Sequence, residues 1–214
     1  MSRISIISML LLTAGQNVGG VSAAAEAHGR AVAPGEVFTG PMLKLRAPYS
    51  LGWVELGQSP AQIAFGRSGA TASDSDIASV TLFKIATSVS DEAFLELIKS
   101  GVEKDSPKPR FDLLMSEFGS SHDRPYTCVV FRGKSIDNGR KSLLSRKSTP
   151  LELRVAAIYC KYPEQPGLAF TASFSHRGPS VSEAFDDEAN AFIEGVQTPA
   201  RSPPNKSPER TREP

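Results

Sequence analysis

The chain has two cysteines, Cys128 and Cys160, and each lies in a run that reads as a β-strand. "PYTCVVFRG" holds the first and "LELRVAAIYC" the second, with the polar, basic "KSIDNGRKSLLSRKSTP" between them. An antiparallel hairpin register centred near Leu144 sets Cys128 opposite Cys160. It also sets Phe131 opposite Ala157 and Tyr126 opposite Tyr162. Opposed residues in antiparallel strands have Cα atoms about 4.5 to 5.5 Å apart, within the disulfide window of about 4.4 to 6.8 Å. A Cys128–Cys160 disulfide is therefore expected, and it constrains the fold more than any other feature of the chain. Closing a loop of this size stabilises a fold by roughly 3 to 4 kcal/mol in the chain-entropy account. The competing reading makes Cys128 a nucleophile with His122 as its base. Six residues of extended strand span roughly 20 Å, and nothing in the spacing supplies a turn that would bring the two together.

An even cysteine count of this kind fits an oxidising compartment, and the N-terminus reads the same way. Arg3 precedes the apolar "ISIISMLLL", and small residues recur near Ala23, Ala25 and Ala27, the pattern of a cleavable signal peptide. The apolar stretch is shorter than the roughly 20 residues of a spanning helix, and no other stretch is long and apolar enough to cross a membrane. No cysteine lies near the cleavage region, so no diacylglycerol anchor is expected there. The C-terminal "TPARSPPNKSPERTREP" has five prolines and no large apolar residue, the composition of a disordered tail. The expected organisation is a signal peptide over 1–27, a flexible leader over 28–35, one folded domain over 36–197, and the tail over 198–214. The expected destination is the periplasm or the extracellular space.

Within the domain the periods alternate between two and 3.6. "VFTGPMLKLRAP" (Val37–Pro48) sets Leu43 and Leu45 against Met42, Lys44 and Arg46, a strand pattern. "YSLGWVEL" turns into a short strand with Trp53, "AQIAFGR" is the next, and "IASVTLFKI" is β-branched and strand-like. A helix is expected to start at Ser88 or Ser90, with Asp91 and Glu92 at its positive end. Phe94, Leu97, Ile98 and Val102 form its apolar face, and the prolines of "DSPKPR" end it. "FDLLMSEF" and "LAFTASFSHRG" add strands; in the latter, Leu168, Phe170, Ala172 and Phe174 alternate with smaller or polar residues. Ser180 and Glu183 have capping-box spacing ahead of a stripe of Phe185, Ala189, Phe192, Ile193 and Val196. The class is α+β: a single antiparallel sheet of about six to seven strands with two helices packed on it, in a two-layer arrangement.

No pattern along the chain reaches the level of a mechanism. "GRSGA" (Gly66–Ala70) resembles a nucleophile elbow around Ser68, but lacks the second glycine and the following helix. "RGKS" lacks the glycine-rich lead of a phosphate loop. Asp74 and Asp76 lack the glycine and distal glutamate of a calcium loop. His28, His122 and His176 read as polar residues of leader, turn and strand end. Two cysteines and three histidines are too few for a structural zinc site, and no spacing marks a carboxylate pair for glycoside chemistry. No cofactor is expected. Net charge is +1, so the whole-molecule field steers no particular partner. Locally, Arg132, Lys134, Arg140, Lys141, Arg146 and Lys147 stand against the single acid Asp137 in a loop spanning 132–147. They read as a solvated excursion or as a contact for an anionic surface. No aromatics are interleaved to stack on bases, so no nucleic acid is expected.

The segment "MLKLRAPYSLGW" resembles the opening of PsbP/Mog1-like domains. So does the order of strands, a helix after "IASVTLFKI", more strands and a closing helix. The resemblance implies an antiparallel sheet with helices on its faces and a binding or accessory role; it transfers no catalytic residue. The expected function is an exported, non-catalytic accessory or binding module, acting on an unidentified protein or envelope component. The alternatives are a hydrolase or thiol enzyme using Cys128, Ser68 or the histidines, and an envelope protein whose basic loop touches anionic lipid.

Overall fold

The structure is a computed structural model and describes residues 29–69, 71, 73–121, 123–139, 150–163 and 165–198. The expected signal peptide, the basic residues Arg140, Lys141, Arg146 and Lys147, His28, His122 and nearly all of the expected tail lie outside the described residues. The elements run β1 (Arg30–Ala31), β2 (Val37–Thr39), β3 (Lys44–Arg46), β4 (Val54–Ser59), β5 (Gln62–Ser68) and β6 (Ser75–Lys84). Then come α1 (Asp91–Asp105), β7 (Phe111–Ser121), β8 (Cys128–Asp137), β9 (Leu151–Lys161), β10 (Leu168–Gly178) and α2 (Phe185–Glu194).

Eight strands form one antiparallel sheet in the order β1-β4-β5-β6-β10-β9-β8-β7, and β2 pairs with β3 in a separate two-stranded piece. The single antiparallel sheet with two helices on it is thus present, with eight strands where six or seven were expected. The run Val37–Pro48 is two strands, not one. Gly40 N donates to Leu43 O at 2.9 Å, folding the run back so that Val37 pairs with Arg46. The alternation still holds, since Leu43 and Leu45 are buried while Lys44 and Arg46 are exposed. The segment after α2 clamps this hairpin: Gln197 N donates to Lys44 O at 2.7 Å and Lys44 N to Gln197 O at 2.9 Å.

The helices take opposite faces of the sheet, so the domain has three layers where the sequence implied two. Along β9, Ala156, Ile158 and Cys160 join the core under α2, while Val155, Ala157 and Tyr159 join the core under α1. A central strand covered on both sides reads as a near-continuous apolar run, which "VAAIYC" is. On one face Phe94, Ile98 and Val102 of α1 meet Val129, Phe131 and Ala169. On the other, Phe185, Ala189, Phe192 and Ile193 of α2 meet Phe65, Phe170 and Phe174, joined by Trp53, Phe38 and Leu45.

Ser90 caps α1, its side chain accepting from Ala93 N at 3.1 Å, and Asp91 and Glu92 occupy the first turn as expected. The second helix departs from its sequence signal. It begins at Phe185 with no side-chain cap, so the Ser180/Glu183 box does not form. Ser180 is instead held outside the helix, its carbonyl oxygen 2.9 Å from His176 Nε2. Among the described residues no helix is long and apolar enough to cross a membrane.

Candidate functional site

Two hairpin tips flank a half-open cavity at one end of the α2-side core. The first tip is the Gly40–Leu43 turn between β2 and β3. The second is the tight Ser59–Gln62 turn between β4 and β5, where Leu82 N donates to Ala61 O at 2.7 Å. Its volume is about 420 Å³, inside the range of roughly 300 to 1,000 Å³ typical of small-molecule sites. Phe38, Met42, Leu45, Ile63, Val80 and Leu82 form its apolar wall. Thr39, Gln58, Ser59 and Gln62 are its polar lining residues, and of the β4–β5 set Gln58 shares the face of Ile63. No charged side chain among the described residues lines it. The flap side is anchored, because Tyr162 Oη donates to Met42 O at 2.8 Å.

A second, polar cavity of about 340 Å³ lies where β5, β6, β10 and α2 meet. His176 is buried there, with Nδ1 2.8 Å from Asp76 Oδ1, Nε2 2.9 Å from Ser180 O, and Asp74 Oδ1 at 3.5 Å. An Asp–His pair is two-thirds of a nucleophile–base–acid arrangement. Its remaining nitrogen, however, meets a carbonyl oxygen, which has no proton to give, so the pair activates nothing in this state. Arg67 closes the cluster, bridging Asp76 at 2.7 Å and Glu188 of α2 at 2.9 Å, with its guanidinium 4.9 Å from the Trp53 ring centroid. Burial works against the Arg67 charge, but the hydrogen bonds it donates to Asp76 and Glu188 and their negative charges outweigh that and raise its pKa above the ordinary value. Among the described residues no set of three or more His, Cys, Asp or Glu side chains could hold a metal ion.

A third cluster holds the far end of β8. Asp137, 1 % exposed, accepts from Arg110 Nε at 3.2 Å, Arg177 Nε at 2.7 Å and Gly139 N at 2.9 Å. Desolvation pushes its carboxyl up; the two guanidinium groups and the backbone N–H prevail and hold it below the usual carboxylate range.

The expected disulfide is present: Cys128 pairs with Cys160, their Cα atoms are 4.1 Å apart, and Phe131 faces Ala157 as the register requires. The ladder stops there. Lys161 N still donates to Thr127 O at 3.0 Å, but Tyr126 and Tyr162 lie outside the strands. No free cysteine remains among the described residues, so Cys128 is not an available nucleophile. Ser68 sits at the end of β5 opposite Ser75 of β6, with Gly69 N donating to Asp74 O at 2.7 Å. That is a β-hairpin, not the strand-turn-helix of an elbow. The loop bounded at 132–147 is also shorter than its sequence implied, because β8 continues to Asp137, paired with Leu151. Arg132 and Lys134 are consequently strand residues. Arg132 donates to Asn190 Oδ1 of α2, and Lys134 Nζ lies 2.9 Å from Glu152 Oε1.

The apolar cavity had no sequence signal, because its walls come from three separated segments. The only trace was the alternation of Leu43 and Leu45 in a run too short to pair with the main sheet.

No family model matches the chain, and no curated protein matches it. Solved structures do. A Bacteroides thetaiotaomicron crystal structure aligns at TM-score 0.43 and 15% identity, covering 78% of this chain and 49% of that one, so the chain spans about half its length. The Saccharomyces cerevisiae Ran-binding protein Mog1p aligns at TM-score 0.39 and 10% identity, covering 72% of this chain and 89% of that one. A mutant Mog1 structure aligns at TM-score 0.40 and 10% identity, covering 79% of this chain and 95% of that one. Overlaps of that extent define neither a shared site nor a shared function.

Proposed function

We propose that the protein is an exported, non-catalytic accessory or binding module, acting through its surface and cavities on a partner or ligand. The observation that carries this reading is the Cys128–Cys160 disulfide, buried in the α2-side core. Disulfides persist in oxidising compartments and are rare in cytosolic proteins, and here the bond agrees with the signal-peptide pattern of the first 27 residues. The same bond occupies both thiols. Among the described residues, Asp137 is paired with two arginines, and His176 with Asp76 and the Ser180 carbonyl oxygen.

The test is expression of the full chain in a bacterial host, followed by fractionation, N-terminal sequencing and alkylation with and without reductant. The expected result is a chain starting near Ala23 to Ala27, recovered from the periplasm or medium, and alkylated at two cysteines only after reduction. A full-length cytoplasmic protein with two titratable thiols would overturn the reading.

A further inference from the structure

We infer that the cavity between the β2–β3 and β4–β5 tips binds one small, neutral, apolar molecule. The inference deepens the binding-module reading above and rests on it. Three observations fix the ligand class. The volume, about 420 Å³, suits a small molecule. The absence of charged side chains from the lining disfavours an ionised group inside it, since a charge moved out of water without a partner is heavily penalised. Gln58 faces Ile63 across β4 and β5, on the face that lines the cavity, and its carboxamide offers hydrogen bonds to a single neutral polar end. A peptide strand fits less well. Backbone at both tips is already engaged, Gly40 N with Leu43 O and Leu82 N with Ala61 O, so these groups offer no free edge for β-pairing.

The experiment uses the exported, oxidised protein and the neutral dye Nile red as probe. Expected are saturable one-to-one binding with blue-shifted emission, displacement by n-decanol, and no displacement by decanoate at pH 8 and equal concentration. Two variants fill the cavity from opposite sides, Leu82→Trp from β6 and Met42→Trp from the hairpin tip. Each is expected to weaken dye binding at least tenfold with an unchanged melting midpoint. If one variant fails to fold, the other decides, and the displacement pair is read on the unaltered protein. Absent saturable binding, displacement by decanoate as effective as by decanol, or a folded variant that binds like the parent would overturn the inference. An exported, oxidised protein that leaves Nile red dark sinks the ligand class alone. A cytoplasmic, reduced protein sinks the binding-module reading whatever the dye does.

Discussion

Cys128 and Cys160 face each other across β8 and β9 with Cα atoms 4.1 Å apart, both buried in the core that α2 covers. The bond lies at the end of β8 remote from the loop that joins the two strands, so it closes the whole hairpin. Its effect falls mainly on the unfolded chain, which loses the freedom to separate these strands. Replacing both residues (Cys128→Ala with Cys160→Ala) should lower stability by about 3 kcal/mol. Urea denaturation of the double variant and of the reduced parent should agree. A loss below about 1 kcal/mol would mean that the unfolded chain already holds the hairpin together.

Asp137 gives the fold an acid-sensitive point. Its folded carboxyl titrates below its ordinary value because Arg110, Arg177 and Gly139 N stabilise the charged form against desolvation. For a depressed carboxylate, the stabilisation is complete above the unfolded value of about 3.9 and is lost as pH falls through the folded one. Asp137→Asn should destabilise the protein at pH 7 by about 2 kcal/mol, the scale of charge-assisted hydrogen bonds. The deficit should vanish toward pH 2. Melting curves of both proteins from pH 7 to pH 2 check this, and a deficit independent of pH would point to packing instead.

Asp105 has the opposite sign. It ends α1, where its negative charge meets the negative end of the helix dipole. Its Oδ2 atom is buried with no hydrogen-bond partner, and desolvation raises its carboxyl above the ordinary value. A raised carboxyl destabilises the fold once pH exceeds the unfolded value, and not below it. Asp105→Asn should therefore stabilise by about 0.5 kcal/mol at pH 7 and by nothing at pH 3. Paired thermal melts at the two pH values read the difference directly.

The residues explain why some of this was legible in the sequence and some was not. The β8–β9 register follows from local alternation plus one covalent constraint, and both are written along the chain. The α1 start follows from Ser90 and the acids after it, a purely local device. The face each helix takes is not local. The stripes of α1 and α2 are alike, and only the double-sided burial of "VAAIYC" in β9 records that two layers cover the sheet. The Ser180/Glu183 spacing misled because His176, four residues earlier on β10, holds the Ser180 carbonyl oxygen outside the helix. The cavity is hardest to read, since Phe38, Ile63 and Leu82 converge only after three separate segments have folded.

Arg67 joins β5 to β6 and α2. Its guanidinium reaches Asp76 on β6 and Glu188 on α2, and lies over Trp53. The two links differ in worth because their burial differs: the Asp76 side chain is 9% exposed and the Glu188 side chain 27%. Breaking the exposed link by Glu188→Gln should lower stability by about 0.5 kcal/mol. Arg67→Leu should cost about 3 kcal/mol, because Asp76 is left buried without its guanidinium partner, in contact with the His176 ring nitrogen. Arg67→Lys keeps the charge but loses the fork that reaches both acids, and should fall between the two. Urea midpoints of the three variants give the order, and equal losses for Glu188→Gln and Arg67→Leu would show that the helix contact, not the buried acid, sets the role of Arg67.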